Sequence, residues 1–201
     1  MHSTTARPRV TLLAGGACLI VAGATLLAVA VGVRPFPTVG LSVASAVLLL
    51  AAACILALGV GGEPGIAGAS RIGRAALIVF GARDLVGLIV DAIPIGPDAY
   101  PLAIAVTSAL SVVFAVAALV AGVFVARAGI LRGPARWALL VVAVCHAIIA
   151  ALMLSGTIEV AWFLVAARAD IVLPGLFLLL GVVYLSLGLA WLPRRVSAVR
   201  R

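Results

Sequence analysis

The chain has 201 residues, of which 66% are hydrophobic and only 10% charged. A soluble domain carries about 45–50% apolar and about 25% charged residues, so this composition excludes an ordinary water-soluble enzyme and points to an all-α integral membrane protein. The formal charge of +8 comes from fourteen basic residues, all of them Arg, and short cytoplasmic loops account for it better than nucleic acid does; no nucleic-acid partner is expected.

Residues 1–9 are polar and basic, and an apolar run follows over residues 10–33. A secretory signal has an apolar region of about 7–15 residues, whereas a spanning helix needs about 20. The run is therefore expected to be a retained anchor, although Ala28-Val29-Ala30 resembles a cleavage site. Arg34-Pro35-Phe36-Pro37 interrupts it, because two prolines cannot continue a helix. A second helix is expected over 38–60. Gly61-Gly62-Glu63-Pro64-Gly65 breaks it, and this loop lacks the Lys-Ser/Thr and the glycine spacing of a phosphate cradle.

The third run, 72–93, is the informative one, because it carries Arg83, Asp84 and Asp91. At about 100° per residue, Gly73, Ala76, Phe80, Arg83, Asp84, Gly87 and Asp91 share roughly one third of the wheel. Arg83 and Asp84 fall near mid-membrane, where a charge costs about 2.5–3.5 kcal/mol on insertion scales. Such residues either satisfy each other or a neighbouring helix, or they line a proton or solute site.

A turn around Pro97 leads to a fourth helix over 101–126, which is expected to pack antiparallel to the third. Its Ser108, Ser111, Ala115, Ala118 and Gly122 form a stripe of small residues. The stripe is expected to lie on the polar face of the third helix, with Ser111 or Ser108 near Asp84. After a basic loop, a fifth helix spans 137–154 and contains His146 on an otherwise apolar face. That histidine reads as a core residue satisfying one hydrogen bond, or as a group able to take part in a proton relay. Residues 157–170 hold Glu159, Arg168 and Asp170 and read as a short outer interfacial helix. A sixth helix covers 171–192.

With the N-terminus inside, cytoplasmic segments hold Arg7, Arg9, Arg71, Arg74, Arg127, Arg132, Arg136 and the four tail arginines, and the outside holds Arg34 and Arg168. That bias predicts a six-helix bundle in a bacterial plasma membrane, with both termini cytoplasmic. Trp137 and Trp191 then sit at the inner interface, with Tyr100 and Trp162 at the outer one. Gly81-Ala82-Arg83-Asp84 faintly echoes Ala167-Arg168-Ala169-Asp170, without the matching context that an inverted repeat needs.

Catalytic motifs are lacking: there is no Gly-x-Ser-x-Gly and no His-Glu-x-x-His. Cys18, Cys54 and Cys145 lie inside apolar runs without a Cys-x-x-Cys, and read as free thiols. No metal or cofactor is expected. The candidate polar site is Arg83, Asp84, Asp91, Ser108, Ser111 and His146. The function expected first is that of a small transporter or permease-like protein acting on a small solute or proton. An accessory or assembly subunit, bound to a membrane protein or to its own copies, is the alternative, and an intramembrane enzyme is third.

Overall fold

The computed structural model describes residues 8–32, 38–94, 96, 99–154 and 162–191. It is helical throughout these residues: α1 (Arg9–Ala30), α2 (Thr38–Leu58), α3 (Arg71–Gly81), α4 (Arg83–Asp91), α5 (Tyr100–Ala128), α6 (Ala135–Leu154) and α7 (Trp162–Ala190). Five of them are long and apolar enough to cross a bilayer: α1, α2, α5, α6 and α7.

The run 72–93 is not one helix. Ala82 separates α3 from α4, and its N–H is shared between the carbonyls of Ile78 and Val79. Val86 then donates to Ala82, so the ladder resumes after a tightened turn rather than a full break. The crossing with α2 lies beside this turn: Gly81 is so close to Ala53 and to the Leu49 carbonyl that no side chain fits there.

A second correction concerns 157–170. Residues 162–170 run continuously into α7 instead of forming a separate interfacial helix. No glycine or proline interrupts the chain before Pro174, and Ala- and Leu-containing sequence favours helix. At 29 residues each, α5 and α7 are about 43 Å long at 1.5 Å per residue, more than the hydrocarbon core of about 30 Å. The side chains of Glu159, Trp162, Arg168, Asp170 and Tyr100, the Arg34–Pro37 link, Arg7 and the four tail arginines lie outside the described residues.

The helices are tight at one end and splayed at the other. Buried positions on α1 run only from Thr11 to Gly23, and those on α5 only from Phe114 to Ala126. The tight end is where α1 begins and α5 ends, and it carries Arg9, Arg71, Arg74, Arg127, Arg132 and Arg136. Its core is Leu12, Leu49, Leu56, Leu77, Val125 and Leu139 with many alanines between them.

Two features build that end. The first is the α1–α7 pair, which packs antiparallel through glycines seven apart on each helix. A methyl built at Gly16 would lie 2.8 Å from the Leu185 nitrogen, and one at Gly23 would lie 2.9 Å from the Pro174 carbonyl oxygen. Gly181 and Gly188 make the reciprocal approaches to Gly16 and Leu13. Without a hydrophobic force between helices in lipid, such backbone proximity is what holds a pair together.

The second is the loop 59–70, which folds under the bundle. Gly59, Gly61, Gly62 and Gly68 take positive φ, and Ile66 is fully buried. Glu63 Oε2 accepts from the Thr11 N–H at 2.8 Å, and the Thr11 hydroxyl accepts from Val60 N–H at 3.0 Å. The Glu63 carboxylate thus occupies the N-terminus of α1, where helix N–H groups have no intrahelical partner. Partial burial works to raise its pKa, but bonds from the N–H groups of Val10, Thr11 and Arg9 and from the Thr11 hydroxyl outweigh it and hold the carboxyl below its usual value.

Candidate functional site

At the splayed end the helices enclose an open cavity of about 690 Å³. It is contributed to by α1, α2, α4, α5, α6 and α7, through Leu26 and Val29, Ser42, Arg83, Asp84, Gly87 and Asp91, Ser111 and Phe114, His146 and Ile149, and Pro174 and Phe177. The volume lies within the usual 300–1,000 Å³ of a small-molecule site. The cavity exists because α4 is short and stands apart: none of its residues is buried.

The polar groups meet on the cavity wall nearest the core. Arg83 Nε donates to Asp84 Oδ1 at 2.7 Å, and the two side chains are 22% and 17% exposed. Arg83 Nη1 lies 3.1 Å from His146 Nδ1. The imidazole is 6% exposed and packs against Phe80, whose ring centroid is 5.7 Å away. Its Nε2 is buried with no hydrogen-bond partner among the described residues. Beside this cluster, a space of about 30 Å³ is lined by Leu77, Phe80, Arg83, Asp84, Phe177 and Tyr184, whose buried hydroxyl has no hydrogen-bond partner among the described residues.

Of the six residues singled out from the sequence, five line the cavity: Arg83, Asp84, Asp91, Ser111 and His146. Arg83, Asp84 and His146 are joined in one chain of contacts. Asp91 is exposed at the end of α4 and makes no ion pair among the described residues. Ser108 is half-buried and does not line the cavity.

The hydroxyl bond expected between Ser111 or Ser108 and Asp84 does not form. Ser111 Oγ donates instead to the Thr107 carbonyl one turn back, at 2.9 Å. The helix hairpin is also less regular than expected. α3 packs well on α5, with Gly73 against Phe124, but α4 diverges from it. Gly122, at the end of the small-residue stripe, faces Leu140 of α6. The α5–α6 connection is the tighter one, turning at Gly129 in the left-handed conformation, so α6 takes the close approach.

The sequence reading identified Arg83, Asp84 and His146 individually but not the wall opposite them. Leu26, Ser42, Phe114 and Phe177 have no local signature, because nothing in an apolar run marks which residues will face a gap. Pro174 is the exception. A proline inside a helix removes one hydrogen bond, and here it lies on the cavity wall. Among the described residues, no group of three or more His, Cys, Asp or Glu side chains is placed to hold a metal ion. The three cysteines are half-buried and unpaired.

The fold and this cavity define a helical membrane protein with a polar cluster inside the bundle. No family model matches the chain, and neither a curated protein nor a solved structure matches it.

Proposed function

We propose that this chain is a small permease-like protein of a bacterial plasma membrane, with six spans and both termini cytoplasmic. Its solute or proton site is formed by Arg83, Asp84 and His146. The observation carrying the proposal is the cavity of about 690 Å³ that reaches Arg83 and Asp84. Charges that merely neutralise each other inside a bundle need no such access.

The sixth span is the α3–α4 pair. Residues 71–91 rise roughly 31 Å at 1.5 Å per residue, enough to cross the hydrocarbon core. With it, Arg9 at the start of α1, Arg71 and Arg74 at the start of α3, and Arg127, Arg132 and Arg136 around the α5–α6 turn fall at one end of the bundle. That asymmetry is what supports the cytoplasmic assignment of this end. The cavity then opens toward the outside.

The test uses Ser111→Cys in a chain whose Cys18, Cys54 and Cys145 are replaced by Ala. Membrane-impermeant thiol reagents are applied to each face of oriented vesicles. A permease should expose position 111 from the outer face and, in a second conformation, from the inner face. Labelling from the outer face alone would leave a binding protein without passage. Labelling from neither face would favour the accessory-subunit reading, with the charges sealed inside the bundle.

A further inference from the structure

The donors at the floor of the cavity point to the chemistry of what it holds. A guanidinium has five N–H donors and no acceptor. The contact between Arg83 Nη1 and His146 Nδ1 at 3.1 Å therefore requires Nδ1 to accept. The imidazole is then neutral at this nitrogen and carries its hydrogen on Nε2. That N–H belongs to a residue of the cavity wall, is itself buried and has no partner among the described residues. A buried donor left unpaired is destabilising, so the site is short of an acceptor.

Arg83 is short of acceptors as well. Asp84 takes Nε–H and His146 takes one hydrogen of Nη1, so three of the five donors have no partner among the described residues. The surrounding walls are apolar and partly aromatic, with Phe114, Phe177, Leu110, Ile149 and Leu173.

We propose that the cavity binds an organic carboxylate with an apolar, ring-sized body. The carboxylate accepts from the remaining Arg83 donors and from His146 Nε2–H, and the body lies against Phe114, Phe177 and Leu173. The proposal rests on the permease reading and names the substrate class of that same site. A carboxylate suits the floor because its two oxygens can accept from a planar guanidinium and from a second donor together. An organic cation would be drawn to Asp91 at the rim and would leave His146 Nε2–H unpaired. A neutral amide has only one acceptor oxygen for both donors.

The experiment uses the full chain in lipid nanodiscs and three probes with one ring and different heads: 4-fluorobenzoate, 4-fluorobenzamide and 4-fluorobenzylamine. Binding is followed by fluorine NMR line broadening, which detects weak affinities. The benzoate should bind at least about tenfold more tightly than either of the others, the size of one hydrogen bond to a charged group. His146→Leu should weaken benzoate binding by about the same factor. His146→Gln should retain most of it, because its carboxamide oxygen can accept from Arg83 while its NH2 donates to the ligand. Gel filtration of both variants establishes that they are folded.

Preferential binding of the benzylamine, equal binding of all three probes, binding of none, or a His146→Leu variant that binds benzoate like the native chain would each overturn the proposal. If position 111 is labelled from both faces while benzoate does not bind, the substrate class is wrong and the permease reading stands. If position 111 is sealed from both faces, the reading itself fails.

Discussion

Arg83 meets His146 on the floor of the cavity: the two residues are 63 apart in sequence, on α4 and α6, and their side-chain nitrogens are 3.1 Å apart. The backbones of α4 and α6 do not pack on one another. A long side chain therefore makes the link that helix packing does not. Arg is suited to this, since its donors are held in a rigid plane at the end of a flexible stem.

Removing the charge pair together should cost less than the two single removals added together. Arg83→Met leaves the Asp84 carboxylate without its cation, and Asp84→Asn leaves a cation at similar depth. Each single variant is expected to lose about 1–3 kcal/mol. The double variant should lose less than the sum, by a coupling of about 0.5–3 kcal/mol. Thermal unfolding of the four proteins in one detergent, read by gel filtration after heating, measures that coupling. Additive losses would show that Arg83 and Asp84 are not partners.

Glu63 links the loop 59–70 to the start of α1 and should make the protein acid-sensitive. Its folded-state pKa lies below the ordinary value of 4.5. A depressed carboxyl stabilises the fold above its unfolded pKa and loses that contribution as the pH falls through the folded value. Native protein should therefore lose stability as the pH is lowered below about 4.5. Glu63→Gln should be less stable at pH 7 by about 0.5–2 kcal/mol, the usual worth of a helix cap, and should lose less of its stability on acidification. Parallel pH dependences for the two proteins would count against the cap.

The α1–α7 contact depends on the absence of side chains at its glycines. Gly16→Leu forces backbone away from Leu185 and Gly181, and overpacking of this kind costs about 1–3 kcal/mol. Gly40→Leu is the matched control, since nothing lies within 4 Å of a side chain there. Thermal midpoints should fall for the first and stay close to native for the second. Equal effects would mean that the glycines matter for helix propensity and not for packing.

The proposed topology is open to reporter fusions. Fusions after Arg71, Arg132 and Arg194 should report the cytoplasm, and one after Pro97 the outside. An outside signal at Arg132 would remove α3–α4 as a span.

Much of the architecture is local information. Run length and apolarity decide which stretches can cross a bilayer, and these are properties of consecutive residues. The expected ends of the first two helices, 33 and 60, lie only two or three residues beyond those observed at Ala30 and Leu58. The unusual position of Arg83 and Asp84 is also visible at once, since any charge inside an apolar run is conspicuous. The break at Ala82 is not: Gly81-Ala82 carries no strong stop, and the tightening coincides with the close crossing of α2 over Gly81.

Partnership was decided only by tertiary structure. In water, an apolar face must turn inward; in lipid, every apolar face has an acceptable neighbour, so hydropathy carries little information about which helix meets which. The repeats Gly16–Gly23 and Gly181–Gly188 are present in the chain, but nothing in the spacing says that they belong to each other rather than to the small residues of α5. For the same reason His146 was legible as a polar residue in an apolar helix, while its bond to Arg83 was not. That bond depends on how far α4 stands from α6, a distance set by the packing of α3 on α5, of α1 on α7 and of α5 on α6, none of it encoded near either residue.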